Sequence, residues 1–153
     1  SDDRYLMSGL NNRLLDNEVV RIPQLGDHFV LLGLSYVYNQ HDRQALKGLV
    51  KQVQPGDYTL LLYHKPDLAY TASDLGIDLY LTGHTHGGQV RIPFYGAIVT
   101  NSRHGKTFEM GEYHPGNTIL FVSRGLGFTG GSAPRIRFLA PPEVVVVDLV
   151  PES

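Results

Sequence analysis

The chain has 153 residues, of which 42% are hydrophobic and 18% charged, a composition typical of a single globular domain with a hydrophobic core rather than of a disordered chain. Thirteen basic and fifteen acidic side chains give a formal net charge of −2, and no run of Lys or Arg favours nucleic acid as a partner. The absence of cysteine excludes disulfides, thiolate zinc sites and cysteine nucleophiles.

The first predicted element is a β-hairpin. One strand covers residues 14–15 and 19–22, the second covers residues 29–34, and Gly26-Asp27 forms the turn between them.

A helix and a strand are predicted next. Asp42 is expected to cap a helix, because apolar residues recur at helical spacing from Ala45 to Val53 before Pro55 and Gly56 end it. The continuous apolar run 58–63 then predicts a strand buried on both faces. This strand delivers His64 at its carboxyl end.

A second helix and strand repeat this order. Residues 67–75 are predicted to form a short helix closed by Gly76, and residues 77–81 form a strand that runs directly into Gly83. Both strands therefore end in loops at the edge where α/β sheets bind ligands. After Gln89 the pattern changes to short strands, predicted at 90–92, 98–99, 118–123 and 144–149.

Histidines follow both predicted strands. His64 ends the first, and the turn Gly83-His84-Thr85-His86-Gly87-Gly88 follows the second. Imidazoles delivered from two neighbouring strands can converge on a transition metal, and two of them in a glycine-rich bend serve no obvious packing purpose. We therefore interpret His64, His84 and His86 as metal ligands, with Gly83, Gly87 and Gly88 allowing the tight bend.

These motifs resemble those of the calcineurin-like metallophosphoesterases, in particular a bacterial, membrane-associated or exported branch of the YkuE/YaeI kind. The resemblance is carried by the segments 62–67, 83–94, 122–127 and 140–143, and it extends over residues 14–149. It implies an α/β fold that corresponds to the C-terminal half of a metallophosphoesterase β-sandwich flanked by helices. A mixed sheet and a mainly antiparallel β section are expected within one domain, residues 1–153.

The resemblance also implies a chemistry. Phosphodiesters or phosphomonoesters would be hydrolysed at a centre of two divalent ions (manganese, zinc or iron) without a protein nucleophile. His64 and His84 would bind one ion and His86 the other. The substrate would be a phosphate ester of the cell envelope, with lipid-like molecules among the candidates.

Three earlier motifs of the family are absent from the chain in matching context: Asp-x-His, Gly-Asp and Gly-Asn-His. Gly26-Asp27-His28 imitates the second of them, but turn chemistry favours an ordinary turn. The general acid is accordingly expected in a missing N-terminal part. The chain alone would then bind one metal ion or none and be inactive or weakly active.

Two alternatives stay open. The chain could be a non-catalytic fragment of the same fold that binds metal or docks a partner. Alternatively, a second chain or the missing N-terminal half could complete the site. Because residue 1 is a serine, we expect it to be a processing or fragment boundary, and localisation remains unknown since no targeting or bilayer-spanning segment is recognised in the chain.

Other polar and aromatic residues receive weaker interpretations. Arg91 and Arg124 are expected to bind substrate, because glycine-rich loops at strand ends rim such sites. Arg103 and Arg135 are interpreted as solvated or structural. The histidines interpreted as surface residues are His28, His41, His104 and His114, and the aromatic residues expected to line a path for an apolar substrate tail are Phe94, Tyr95 and Phe128.

Overall fold

The computed structural model describes residues 12–35, 41–128 and 135–150. Within them, the strands are β1 (Glu18–Arg21), β2 (Phe29–Gly33), β3 (Tyr58–Leu62), β4 (Leu79–Thr82), β5 (Arg91–Ile92), β6 (Gly96–Ala97), β7 (Gly111–Tyr113) and β8 (Ile119–Val122). The α-helices are α1 (Asp42–Val50) and α2 (Ala69–Asp74). Single 3-10 turns occur at Pro23–Leu25, Pro66–Leu68 and His86–Gly88.

Six of the strands form one mixed sheet in the order β1-β2-β3-β4-β8-β7. The four central strands run parallel, and β1 and β7 pair antiparallel at the two edges. Strands β5 and β6 form a separate antiparallel ribbon. The predicted α/β class, with a mixed sheet and an antiparallel section, is confirmed.

The main core lies between the central strands and the two helices. Val30, Leu61 and Tyr80 are fully buried on the strands, and Leu46 of α1 and Ala72 of α2 are fully buried against them. Right-handed crossovers that add β2, β3 and β4 in one direction place both helices on the same face of the sheet. The opposite face of the sheet therefore has to be covered by something other than α1 and α2.

That opposite face is apolar and only partly buried. Phe29, Leu60 and Leu79 form a small second cluster to which no helix described here contributes a side chain. Leu62 and Ile119 are 36% and 39% exposed. We call this surface, built from β2, β3, β4 and β8, the open face.

The first strand is shorter than predicted. Residues 14–15 precede β1 and are not part of it. Instead, Leu15 packs over the open face at Gly33, where an added Cβ would lie 2.1 Å from the Leu15 Cβ. The turn at Gly26-Asp27 is confirmed, since Gly26 accepts a hydrogen bond from the backbone N–H of Phe29.

The first helix differs from its prediction at both ends. His41 is the N-cap residue and Asp42 is the first helical residue, so the predicted aspartate cap is wrong. The Asp42 carboxylate instead accepts the hydroxyl proton of Tyr63, a buried phenol that needs an acceptor. The helix ends at Val50 rather than Val53, because the hydrogen bonds change to the i−3 pattern after it.

Three strand predictions differ from the structure. Strand β3 is not buried on both faces along its whole length, because Tyr58 and Leu62 lie on the open face. The strand predicted at 98–99 lies instead at Gly96–Ala97, and residues 144–149 form no strand because no partner strand among the described residues reaches them. Among the helices of the described segments, none has the length and apolar composition needed to cross a membrane.

Candidate metal centre

The sheet brings His64 and His84 together. Strands β3 and β4 are adjacent and parallel, with Leu62 opposite Leu81. The pairing continues beyond the strands, since the backbone N–H of Gly83 donates to the His64 carbonyl at 3.1 Å. Two parallel strands of matched register therefore place the following histidines side by side, as the sequence pattern predicts.

The two imidazoles meet through specific ring nitrogens. His84 Nδ1 and His64 Nε2 lie 3.0 Å apart, with the ring planes inclined by 71°. With metal–nitrogen bonds of about 2.1 Å, this separation fits two ligands of one ion at an angle of roughly 90°. The His84 ring also hydrogen-bonds the backbone of Asn101, an orienting contact typical of metal-bound histidine.

All three candidate ligands are held in the neutral form. Burial, together with the neighbouring His84 and Lys65, lowers the pKa of His64 to about 4. Burial is also the main cause that lowers the pKa of His84 and of His86. Neutral imidazole is the form that binds metal, so these rings are ready to act as ligands at neutral pH.

The turn that follows β4 separates His86 from this pair. His84 and His86 have φ values of +71° and +51°. Gly87, which follows His86, has a φ of +65°. The His86 ring points to the loop after β8, where its Nδ1 lies 3.2 Å from the Arg124 carbonyl oxygen. The structure thus gives a histidine pair and a separate histidine, and within the described ranges no group of three or more His, Cys, Asp or Glu side chains gathers at one point.

Arg137, which the sequence analysis did not single out, organises the surroundings of His86. Its guanidinium donates to the carbonyl oxygens of Arg124 at 2.9 Å, Ala140 at 3.0 Å and Gly125 at 3.1 Å. Arg137 Nη2 also lies 3.2 Å from His86 Nδ1, which lies 3.2 Å from the Arg124 carbonyl oxygen. Nδ1 can therefore accept a hydrogen bond from Arg137 or donate its proton to Arg124, and only the second arrangement leaves His86 Nε2 with the lone pair that a metal ligand needs.

The two arginines expected to bind substrate are both engaged with glutamates. The Arg91 guanidinium lies 2.6 Å from the Glu109 carboxylate and is 16% exposed. The Arg124 guanidinium pairs with Glu143, whose other carboxylate oxygen accepts from the Arg124 backbone N–H at 2.8 Å. In this structure they hold loops together, and their role in substrate binding stays a prediction.

The remaining histidines are occupied elsewhere. His28 and His114 are exposed and lie beside Asp57 and Glu112, and His41 is exposed at the start of α1. His104 is partly buried and bonds the Asp67 backbone. The other residues with weaker interpretations are also at the surface: Arg103, Arg135, Phe94, Tyr95 and Phe128.

Sequence reasoning missed two buried carboxylates that support the site. Asp67 accepts hydrogen bonds from the Ser102 hydroxyl at 3.0 Å and the Arg103 backbone at 2.9 Å, which fixes the loop that carries Asn101. The Glu109 carboxylate binds Arg91, whose guanidinium also donates to the Gly87 carbonyl in the turn after β4. Neither residue belongs to a local pattern, so only the folded arrangement reveals its role.

Comparison with known proteins identifies several similar chains. No protein-family model matches, and no solved structure matches. The "Uncharacterized metallophosphoesterase YkuE" of Bacillus subtilis is 43% identical over 103 residues, which cover 67% of this chain and 35% of that protein. The "Uncharacterized metallophosphoesterase Cj0846" of Campylobacter jejuni is 36% identical over 94% of this chain and 35% of its own length.

A third relative has a more specific name. The "UDP-2,3-diacylglucosamine pyrophosphatase LpxG" of Chlamydia muridarum is 30% identical over 94% of this chain and 44% of its own length. The chain therefore spans between about a third and under half of the length of these three relatives.

Proposed function

The chain belongs to the metallophosphoesterase family, and from that premise we propose that it contributes the histidines of a metal-dependent phosphate-ester hydrolase. The observation that carries this proposal is the 3.0 Å approach of His84 Nδ1 to His64 Nε2 at the carboxyl edge of the sheet. Two neutral imidazoles in that arrangement suit one divalent transition metal ion.

The ligands divide between two ions in this proposal. His64 and His84 hold one ion, and His86 holds the second through Nε2. When bound, divalent ions stabilise the charge that develops on a phosphoryl group under attack by water. The residues of this chain bind and orient those ions, and nitrogen ligation favours zinc, iron or manganese over calcium.

Several parts of the proposed centre lie outside the described residues. We place the remaining ligands and the general acid in the part of the relatives' length that this chain does not span, because the described residues supply only the histidine pair and His86. The site of action is proposed to be the cell envelope, membrane-associated or exported.

The proposed substrate is a phosphate ester, with lipid-like esters as the first class to test. The name of the chlamydial relative, a pyrophosphatase for UDP-2,3-diacylglucosamine, supports that class. The exposed aromatic side chains of Phe94, Tyr95 and Phe128 would offer apolar contacts to such a substrate.

A second candidate function is a metal-binding unit without catalytic activity. The observation in its favour is the absence, among the described residues, of any cluster of three or more potential ligands. Both candidates require metal binding by the histidines, and they differ in turnover.

An assay of binding and turnover separates the two. The chain is mixed with Mn²⁺ or Zn²⁺, binding is followed by titration calorimetry, and hydrolysis of bis(p-nitrophenyl) phosphate is followed by absorbance. Because the general acid is placed outside this chain, we expect its turnover to be weak. His84→Ala and His86→Ala should each abolish it, whereas the control His114→Ala, which alters an exposed histidine paired with Glu112, should leave it unchanged.

The outcomes are distinct. Binding without turnover supports the metal-binding unit. A wild-type chain that binds neither ion contradicts both candidates.

A further inference from the structure

We propose that Glu109 is a positioning residue for residues 83–88, which we call the histidine turn. Glu109 holds His84 and His86 in the orientation that metal binding needs. This inference rests on the proposed function. Glu109 is a buried carboxylate outside the histidine set, and no motif drew attention to it.

The carboxylate of Glu109 is closely surrounded by residues of β5 and β6. Its Oε2 lies 2.6 Å from Arg91 Nη1, and its Oε1 accepts from the Ala97 backbone N–H at 3.1 Å. At Gly96 an added Cβ would stand 3.0 Å from both carboxylate oxygens. Strands β5 and β6 are therefore built closely around this one charged group.

Glu109 is linked to the histidine turn at two points, once directly and once through Arg91. The Glu109 main-chain carbonyl accepts the Thr85 hydroxyl proton at 2.6 Å. Its side chain acts through Arg91, whose Nη1 also donates to the Gly87 carbonyl at 3.0 Å. Thr85 and Gly87 flank His86, and Thr85 directly follows His84.

Glu109 is itself fixed from the sheet. The Tyr113 hydroxyl, on edge strand β7, accepts from the backbone N–H groups of Glu109 at 2.9 Å and Met110 at 3.2 Å. It donates to the Met110 carbonyl at 2.9 Å. A continuous set of hydrogen bonds thus leads from the sheet through Glu109 to the turn.

The turn needs such support because of its backbone. His84, His86 and Gln89 all have positive φ, a conformation that residues with a Cβ adopt only when the surroundings impose it. Without the Arg91–Glu109 bridge, relaxation of these angles would redirect the two imidazoles. Outer partners of this kind affect metal affinity without touching the ion.

The test compares Glu109→Gln with Glu112→Gln. The control removes the charge of Glu112, an exposed glutamate on β7 that pairs with the surface histidine His114. Affinity for Zn²⁺ and Mn²⁺ is measured by calorimetry, thermal unfolding by circular dichroism, and hydrogen exchange at the Gly88 and Gln89 amides by NMR.

We expect Glu109→Gln to weaken metal binding about 10- to 100-fold and to accelerate exchange at both amides, with Glu112→Gln like wild type. Arg91→Gln should have the same effect. The double variant should be no weaker in metal binding than either single variant, because the two residues act as a unit.

Two results would overturn the inference. One is a lower unfolding temperature of Glu109→Gln with wild-type metal affinity, which would make the residue merely structural. The other is additive losses of affinity in the double variant. Failure of the wild-type chain to bind metal would contradict the proposed function instead, before any variant is compared.

Discussion

The protonation of His64 is governed by its place in the fold. Burial at the end of β3, with His84 and Lys65 nearby, lowers its pKa to about 4. An unfolded chain would protonate the same imidazole near its ordinary pKa of about 6.5. Between these values the unfolded state binds a proton that the folded state does not.

The metal-free chain should therefore lose stability as the pH falls from about 6.5 to about 4. The contribution of the neutral His64 is fully present above pH 6.5 and is lost as the pH falls through the pKa of the folded state. Urea unfolding in the presence of EDTA at several pH values measures this slope. His64→Gln should flatten it, whereas His114→Gln should not, and equal slopes for all three proteins would contradict the assignment.

Residue roles were predictable where they follow from local pattern. His64 and His84 each come directly after an apolar strand, so the sequence alone places them at one edge of the sheet. Glu109 and Arg137 gain their roles from partners 18 and 51 residues away, Arg91 and His86 respectively. No periodicity links such partners, so these roles emerge only from the fold.

At the scale of elements, the histidine turn packs directly against strand β6. Gly88 has a φ of +77°, and a Cβ added to it would lie 2.2 Å from the Cβ of Ala97. Gly111, at the start of β7, has a φ of +90° but open space around the same position. Comparing substitutions at Gly88 and Gly111 therefore separates the effect of close packing from that of backbone conformation.

Gly88→Ala should destabilise the chain more than Gly111→Ala. The positive φ alone costs about 1–2 kcal/mol in each variant, and the overlap with Ala97 adds about 1–3 kcal/mol for Gly88→Ala. Chemical denaturation gives the two free energies of unfolding. Equal losses would mean that the turn does not pack on β6 as described.

Element predictions succeeded for the central strands and failed at the margins. The apolar runs that become β3 and β4 are covered by helices on one face, so hydrophobicity and strand formation coincide there. Residues 144–149 have an equally apolar sequence but no strand beside them in the described part of the chain. Strand β7 was missed because its three residues, Gly111–Tyr113, are too few to show alternation.

At the scale of the whole molecule, the open face leaves apolar side chains of the sheet partly exposed. Central parallel strands are normally covered on both faces, yet α1 and α2 pack on one. Leu62, Ile119 and Tyr58 lie partly exposed on the other. A contiguous apolar sheet surface of this kind favours association with other apolar surfaces.

The chain in isolation should self-associate through the open face. Sedimentation velocity at increasing concentration should show larger species, and Leu62→Lys or Ile119→Lys should shift the distribution towards monomer. Leu25→Lys, which alters a more exposed leucine outside the sheet, is the matched control and should have no effect. A monomeric wild-type chain at all concentrations would contradict this expectation.

The pairing of β4 with β8 has a kinetic consequence. Strands β2, β3 and β4 follow one another through crossovers, but β4 pairs with a strand that the chain reaches only after the whole stretch between Thr82 and Ile119. Pairing between segments so far apart in sequence forms more slowly than local pairing. The histidine turn and Glu109 both lie between these two strands. During refolding, the capacity to bind an ion should therefore arise in the last step, when β8 joins the sheet.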